Sequence, residues 1–229
     1  MHLIANVMGS DTQISFPCLN QFPWLVQGFT LRQPGIDVKA PKSESLARLR
    51  ERHRSLLLEK GIDWSRMQYV DQVHGNQVVV SARATSSQAP ADGLITNEVD
   101  LPIGIHVADC CAIYLVDRKR RGIALLHSGR KGTAANIAAE GVRQLGTNFA
   151  VEPQDIVAAL SPCIHACCYE IDFVSQIESQ LKAEGVREVW RHPDCTGCEI
   201  NRYYSYRKEM GHTGRMLAFM MIKRSVSSS

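Results

Sequence analysis

The stretch 101–146, LPIGIHVADCCAIYLVDRKRRGIALLHSGRKGTAANIAAEGVRQLG, decides the fold. Its stretches LPIGIHVAD, AIYLVD and GIALLHSG form three apolar runs of strand length. Without polar alternation, such runs belong in a well-covered sheet. The last of them passes directly into RKGTAANIAAEGVRQLG, where Ile137, Val142, Leu145 and many alanines favour a helix. His127 is therefore expected at a strand-to-helix turn.

Working outward, DIVAALSP reads as a further buried strand, DFVSQIESQLKAEG as a helix and MLAFMMIK as a closing strand. On the N-terminal side, residues 1–35 read as short strands and turns. WLVQGFTLR is the most strand-like piece, and Pro34-Gly35 closes it. The segment SESLARLRERHRSLLLEKG carries Leu46, Leu49, Leu56 and Leu57 at helical spacing, with Gly61 as a stop signal. MQYVDQ and QVVVSA are β-rich segments separated by the turn His74-Gly75-Asn76, SSQAPADG reads as a loop, and SVSSS reads as a disordered tail. Strands and helices alternate in part, with no internal repeat and no dividing linker. The expectation is an α+β fold, one domain over residues 1–229 with mixed β-sheets flanked by helices.

With 229 residues, 45% hydrophobic and 21% charged, the chain can bury one substantial core. The net charge of +3 is spread over 26 basic and 23 acidic residues, and the basic cluster DRKRRG at 117–122 lies between apolar runs as a solvated turn. That balance predicts no nucleic-acid partner. The N-terminus lacks a basic start and an apolar stretch of roughly 7–15 residues, and nothing approaches about 18 continuous apolar residues, so the expectation is a cytoplasmic protein with no membrane segment. Eight cysteines in such a chain suggest thiols, metal ligands or core residues rather than a disulfide framework.

His74, Cys110 and His127 each fall near an expected strand end, where distant parts of a chain converge on one sheet edge. Two imidazoles and a thiolate suit zinc, and three protein ligands leave a fourth position open, the pattern of a catalytic site. Zinc lowers the pKa of a bound water from about 15.7 toward about 7. Spacing alone leaves the bland roles open, a loop residue for each histidine and a core residue for the cysteine.

The blocks DQVHGNQV, ADGLITN, VADCCAIYLVD, GIALLHSGRKG, SPCIHACCYEI and YYSYRKEMGHTGRM, with GFTLR near the start, occur in one order over residues 24–222. In that order they resemble the laccase-domain family, also called YfiH-type or peptidoglycan editing factor proteins, whose fold is similar to that of a toxin deamidase of the CNF type. The resemblance implies that His74, Cys110 and His127 hold zinc. It also implies a purine nucleoside phosphorylase that cleaves adenosine, inosine, guanosine or methylthioadenosine with phosphate, and an adenosine deaminase activity beside it. Asp109, next to the cysteine, is the candidate for proton transfer, with a supporting role beside the metal as the alternative. The turn HSGRKGT leads into a helix, which makes Arg130 and Lys131 candidates for holding phosphate. Arg32 and Arg207 match family positions and join them as candidates for phosphate or ribose. The implied partners are a purine nucleoside and phosphate, with the chain a monomer or weak dimer.

The chain departs from the family pattern in places. Arg130-Lys131 stands where the resemblance leads one to expect Trp-Arg, and Ala112 where it leads one to expect proline, which bears on substrate choice rather than on the metal ligands. The segment between Tyr169 and Cys195 is shorter than the pattern and predicts a cleft with part of one wall missing. Cys163, Cys167, Cys168, Cys195 and Cys198 contain CxxxC and CxxC spacings compatible with a second, structural zinc site, although the sequence favours buried or free thiols. His106 and His165 read as packing residues, and His2, His53, His192 and His212 have no evident partner.

Rival functions are a copper polyphenol oxidase, a cysteine-type amide hydrolase on a cell-wall precursor with Cys110 as nucleophile and His127 as base, and a non-catalytic metal-stabilised binding protein. Eight histidines without a His-x-His pair argue against multi-copper chemistry, which leaves copper as the alternative metal and zinc as the expected one.

Overall fold

Short strands β1 (Gln13–Ile14) and β2 (Leu25–Thr30) open the chain and are followed by α1 (Lys42–Glu59). Then come β3 (Val78–Val80), β4 (Gly93–Thr96), β5 (Ile103–Val107), β6 (Cys111–Asp117) and β7 (Ile123–Ser128). The remainder is α2 (Arg130–Ala134), α3 (Ile137–Phe149), β8 (Ile156–Leu160), α4 (Phe173–Ala183), β9 (Glu188–Arg191) and β10 (Met216–Ile222). This computed structural model describes residues 12–83, 89–119 and 122–224. Expectations for residues 1–11 with His2, part of the loop at 86–93, the centre of the basic turn at 120–121 and the tail at 225–229 lie outside those residues.

Four strands form an antiparallel sheet in the order β1-β2-β10-β5, and six form a mixed sheet in the order β3-β4-β7-β6-β8-β9. In the mixed sheet the central pairings are antiparallel, and the edge strands β3 and β9 join parallel to β4 and β8. This is the α+β architecture expected, with sheets flanked by helices.

Period-two alternation explains why the decisive apolar runs show no polar face. In β6, Ala112, Tyr114 and Val116 point into the core shared with the four-stranded sheet, where they meet Ile103, Ile105, Met216 and Ala218. The intervening Cys111, Ile113 and Leu115 pack against Ile137, Val142 and Leu145 of α3 and Ile177 and Leu181 of α4. Both faces of the central sheet are thus covered. The Tyr114 hydroxyl is wholly buried and donates to the Gly28 carbonyl at 2.7 Å, tying one sheet to the other. On the outer face of the four-stranded sheet, Leu217, Phe219 and Met221 of β10 pack against Leu57 and Ile62 at the end of α1.

Three departures from the sequence reading have physical causes. The single helix expected over 130–146 is broken at Asn136, which adopts a left-handed φ of 62° between α2 and α3. Asparagine tolerates that conformation better than most residues. MQYVDQ makes only isolated bridges at Gln68 and Asp71 and forms no strand. There the Gln72 side chain takes a strand's place: its Nε2 donates to the His106 carbonyl at 2.9 Å, and its Oε1 accepts from the His106 N–H at 3.1 Å. Strands β1, β4 and β9 are short additions that apolar patterning did not single out.

Candidate metal centre and cleft

The strand-end residues converge. Cys110 immediately precedes β6, and the antiparallel register of β6 with β7 pairs Ala112 with His127 and Cys111 with Ser128. Continuing that register sets Gly129 across from Cys110. A Cβ on Gly129 would lie 2.4 Å from Cys110 Sγ, so glycine there makes room for the sulfur. His74 sits in the turn before β3 with a left-handed φ of 62°, and its ring lies edge-on to that of His127 with centroids 4.8 Å apart. One nitrogen from each histidine and the Cys110 sulfur all lie within 4.8 Å of one another.

The residue that holds this arrangement is Asp92, which the sequence reading assigned no role. Its buried carboxylate accepts from the backbone N–H groups of His74 at 2.9 Å, Gly75 at 2.6 Å and Val73 at 3.3 Å. It also accepts from His127 Nδ1 at 2.7 Å. One side chain therefore shapes the turn that presents His74 and fixes the ring of His127, leaving Nε2 of His127 for Cys110. A ligand histidine oriented through its far nitrogen by a carboxylate is the usual support of a metal site. The sequence signal was slight: an aspartate followed by glycine at a strand start, inside the block ADGLITN.

Electrostatics of the metal-free trio follow from this packing. Burial pushes the Cys110 thiol up, but the His127 charge and hydrogen bonds from His127 and His74 outweigh it and bring the thiol down to about 6. Burial lowers His127, yet the Cys110 thiolate and Asp92 raise it to about 9. His127 and the backbone N–H groups of Gly75 and His74 hold Asp92 below the usual carboxylate range against its own burial. Near neutral pH the chain thus carries a thiolate beside an imidazolium. A thiolate and two imidazoles are donors that zinc accepts, and a tetrahedral ion with Zn–N of about 2.05 Å and Zn–S of about 2.3 Å spaces them about 3.3–3.6 Å apart.

The trio opens onto a cleft of about 770 Å³, within the usual range for small-molecule sites. Asp109, Arg130 and Arg207 line it, as do Tyr169, Phe173 and Tyr206. Asp109 is pinned, with one oxygen accepting from Thr196 Oγ1 at 2.7 Å and the other from the Arg207 N–H at 2.8 Å. Arg207 lies over the Tyr169 ring at 5.4 Å. Two expected anion holders are not brought to the cleft. Lys131 is exposed on α2 and does not line it. The Arg32 guanidinium donates to the Tyr203 carbonyl, pairs with Glu209 at 2.7 Å and stacks on Tyr204. The helix expected to cradle phosphate, α2, is only five residues long, so its dipole is small. Arg215, which the sequence reading passed over in YYSYRKEMGHTGRM, is buried and does line the cleft. Its Nη1 donates to the carbonyls of Thr213 and Gly214.

Of the remaining histidines, His106 lines the cleft and stacks between Tyr69 and His53, consistent with packing. His192 accepts from the Asp194 N–H at 3.2 Å. The segment between Tyr169 and Cys195 consists of α4 and β9 with their connections.

The sequence pattern of the family described as "Multi-copper polyphenol oxidoreductase laccase" matches residues 35–174 and 171–223. The chain belongs to that family. It is 31% identical over 191 residues to "Purine nucleoside phosphorylase YlmD" of Geobacillus stearothermophilus, covering 66% of this chain and 70% of that protein. It is 29% identical over 219 residues to "Purine nucleoside phosphorylase" of Deinococcus radiodurans, covering 82% of each. The fold superposes on the crystal structure of YlmD from Geobacillus stearothermophilus with a TM-score of 0.83 at 24% identity, over 94% of this chain and 98% of that one. It superposes on Bacillus licheniformis YfiH with a TM-score of 0.80 at 22% identity, over 93% and 97%. Among the described residues no helix is long and apolar enough to cross a membrane.

Proposed function

We propose that this chain is a zinc-dependent purine nucleoside phosphorylase that cleaves adenosine, inosine, guanosine or methylthioadenosine with phosphate. The observation that carries the reading is the convergence of His74, Cys110 and His127 at a cationic cleft of nucleoside-plus-phosphate size. The names of its relatives support the substrate class. His74, Cys110 and His127 hold the ion, and Asp92 sets their geometry. When bound, zinc supplies Lewis acidity and a water acidified from about 15.7 toward about 7.

Arg130 and Arg207 hold phosphate at the cleft wall, and buried Arg215 adds a cation behind them. Holding the phosphate oxygen in line with C1′ of the ribose is most of what the protein must do, because orientation alone removes several kcal/mol of barrier, about 7–11 in the best cases. Attack by hydrogen phosphate forms the C1′–O bond and breaks the C1′–N9 bond, and the proton that the phosphate gives up goes to the departing purine. Asp109 moves that proton, its two oxygens fixed by Thr196 and Arg207. Arg32 acts from behind by bracing the Tyr203–Glu209 loop. Adenosine deamination in the same cleft is the accompanying activity, with Asp109 as donor to the leaving ammonia. Such a site acts on a soluble nucleoside as a monomer or weak dimer in the cytoplasm. Its donor set, two imidazoles and a thiolate, suits zinc and lacks the further histidines of a multi-copper assembly; a single copper is the alternative, which intense visible colour would reveal.

The test is release of free purine and ribose 1-phosphate from the four nucleosides, with and without phosphate, in protein of verified zinc content. Phosphate-dependent cleavage is expected, and Cys110→Ala and His127→Ala should each lose metal and turnover together. No phosphate-dependent release across the panel would refute the reading and favour a metal-stabilised binding protein.

One further observation favours a second reading. In metal-free protein, the Cys110 thiolate, the His127 imidazolium and Asp92 have the connectivity of a thiol hydrolase. Iodoacetamide distinguishes the two, since a zinc-bound thiolate is protected until a chelator removes the ion. Amide hydrolysis that survives chelation would select the cysteine mechanism.

A further inference from the structure

Away from the cleft trio, the connections after β8 and after β9 meet through four cysteines. Cys167 and Cys168 come from the first and Cys195 and Cys198 from the second, and their sulfurs all lie within 4.8 Å of one another. Cys198 Sγ is 3.5 Å from both Cys167 Sγ and Cys168 Sγ. We infer that these four thiols hold a second, structural zinc ion. The inference stands independently of the activity proposed for the cleft.

The geometry suits an ion better than a disulfide. Four sulfurs about 2.3 Å from a central zinc stand about 3.8 Å apart, whereas a disulfide brings two sulfurs to about 2.05 Å. The cluster is mutually close in all its pairs, which a disulfide between two members does not require. Four protein ligands leave no open coordination position, so such an ion holds structure and does no chemistry. Cys163, which the spacing in the sequence placed beside these residues, is buried in the helix-side core and stands outside the cluster.

The backbone around the cluster is shaped to bring the sulfurs together. The His165 N–H donates to Cys195 Sγ at 3.3 Å. The N–H groups of Cys198 and Glu199 both reach the Cys195 carbonyl, at 3.1 and 3.0 Å, closing the CxxC turn. The N–H groups of Cys168 and Tyr169 reach the His165 carbonyl at 2.9 and 3.0 Å, a matching turn on the other connection. Where the turns face each other, a Cβ on Gly197 would stand 2.8 Å from Cys168 Cβ and 3.1 Å from its sulfur. Glycine between the two cysteines of the CxxC is what lets the turns close.

The position of the cluster gives the ion its task. Tyr169, which follows Cys168, is part of the cleft wall beneath Arg207. Thr196, which follows Cys195, donates to Asp109 next to the cleft sulfur. An ion joining the two connections therefore fastens both sides of that wall.

The test begins by silencing the cleft site with Cys110→Ala and His127→Ala in the full chain, purified under reducing conditions. Elemental analysis should then find one zinc per chain. After chelation, Co2+ should bind with an intense thiolate-to-cobalt charge-transfer band in the near ultraviolet, and Zn2+ should displace it. Adding Cys167→Ser or Cys198→Ser, both at exposed positions, should abolish this binding with circular dichroism unchanged. No zinc and no cobalt uptake in the silenced chain would overturn the inference. So would uptake that persists with both serines in place, or a metal-free chain whose unreduced mass shows a disulfide among these residues. Because the silenced chain requires no change at the four cysteines, its metal titration decides the matter even if a serine variant folds poorly.

Discussion

Asp92→Asn separates a built metal site from a chance meeting of side chains. Asparagine keeps one of the two acceptor oxygens, so whichever way its amide turns, an NH2 group faces two of the four donors now served. These are His74 N and His127 Nδ1 on one side, or Gly75 N and Val73 N on the other. Leaving a donor unsatisfied costs about 1–3 kcal/mol, which gives a destabilisation of about 2–6 kcal/mol for the metal-free protein. Loss of an orienting partner of this kind typically weakens metal binding about 10–100-fold, or about 1.4–2.7 kcal/mol. A second effect opposes the first. Asp92 helps raise His127 to about 9, so its removal lowers that pKa and lets the proton compete less with zinc at pH 7. Above the His127 pKa no proton competes in either protein, and this compensation vanishes. The zinc deficit of the variant should therefore widen between pH 7 and pH about 9, as read by competition with a chromophoric chelator. Affinity within about twofold of the parent at both pH values, in a folded variant, would refute the role given to Asp92.

Gly129→Ala tests the space kept for the sulfur. The backbone at 129 has φ −110°, open to any residue, so the penalty comes from the clash with Cys110 Sγ alone; a loss of about 1–3 kcal/mol in stability together with loss of cleft metal is expected from urea melts and elemental analysis. In metal-free protein, Cys110 alkylation tracked by peptide mass spectrometry should reach half its plateau rate near pH 6, where an ordinary thiol would do so near 8.5. Buried His53, lowered to about 4 by burial, and His106, lowered to about 3 by burial and then by His53, take up protons less readily folded than unfolded. Stability should thus be unaffected by these groups above about 6.5 and fall as pH drops from there toward 4, visible as a declining urea midpoint, with the decline reduced in His53→Gln.

Much of this arrangement is written in the chain. The uninterrupted apolar runs at 103–107, 111–117 and 123–128 specify buried strands because each is packed on both faces, and hydrophobic periodicity is the strongest local signal a sequence carries. Cys110 and His127 could be placed at strand ends for the same reason, and their partner His74 by its turn. Asp92 was not legible, because its role depends on a turn from residues 73–75 folding over its carboxylate, a contact no local pattern encodes. Arg32 and Arg215 show the converse. Side-chain charge is visible in a sequence, but whether a guanidinium faces a cleft or a carbonyl is set by the fold around it. The four-cysteine cluster was half visible, as a CxxC, and its other half required knowing that two connections run side by side.

The last strand in the described order occupies an interior place: β10 lies between β2 and β5, pairing antiparallel with each. A ribosome must therefore deliver the chain through residue 222 before the smaller sheet can close. Until residue 222 emerges, β2 and β5 keep unsatisfied edges, and nascent or prematurely terminated chains carry the hazard of pairing with one another that open edges bring. Removing even the last strand should yield insoluble protein rather than a shortened enzyme.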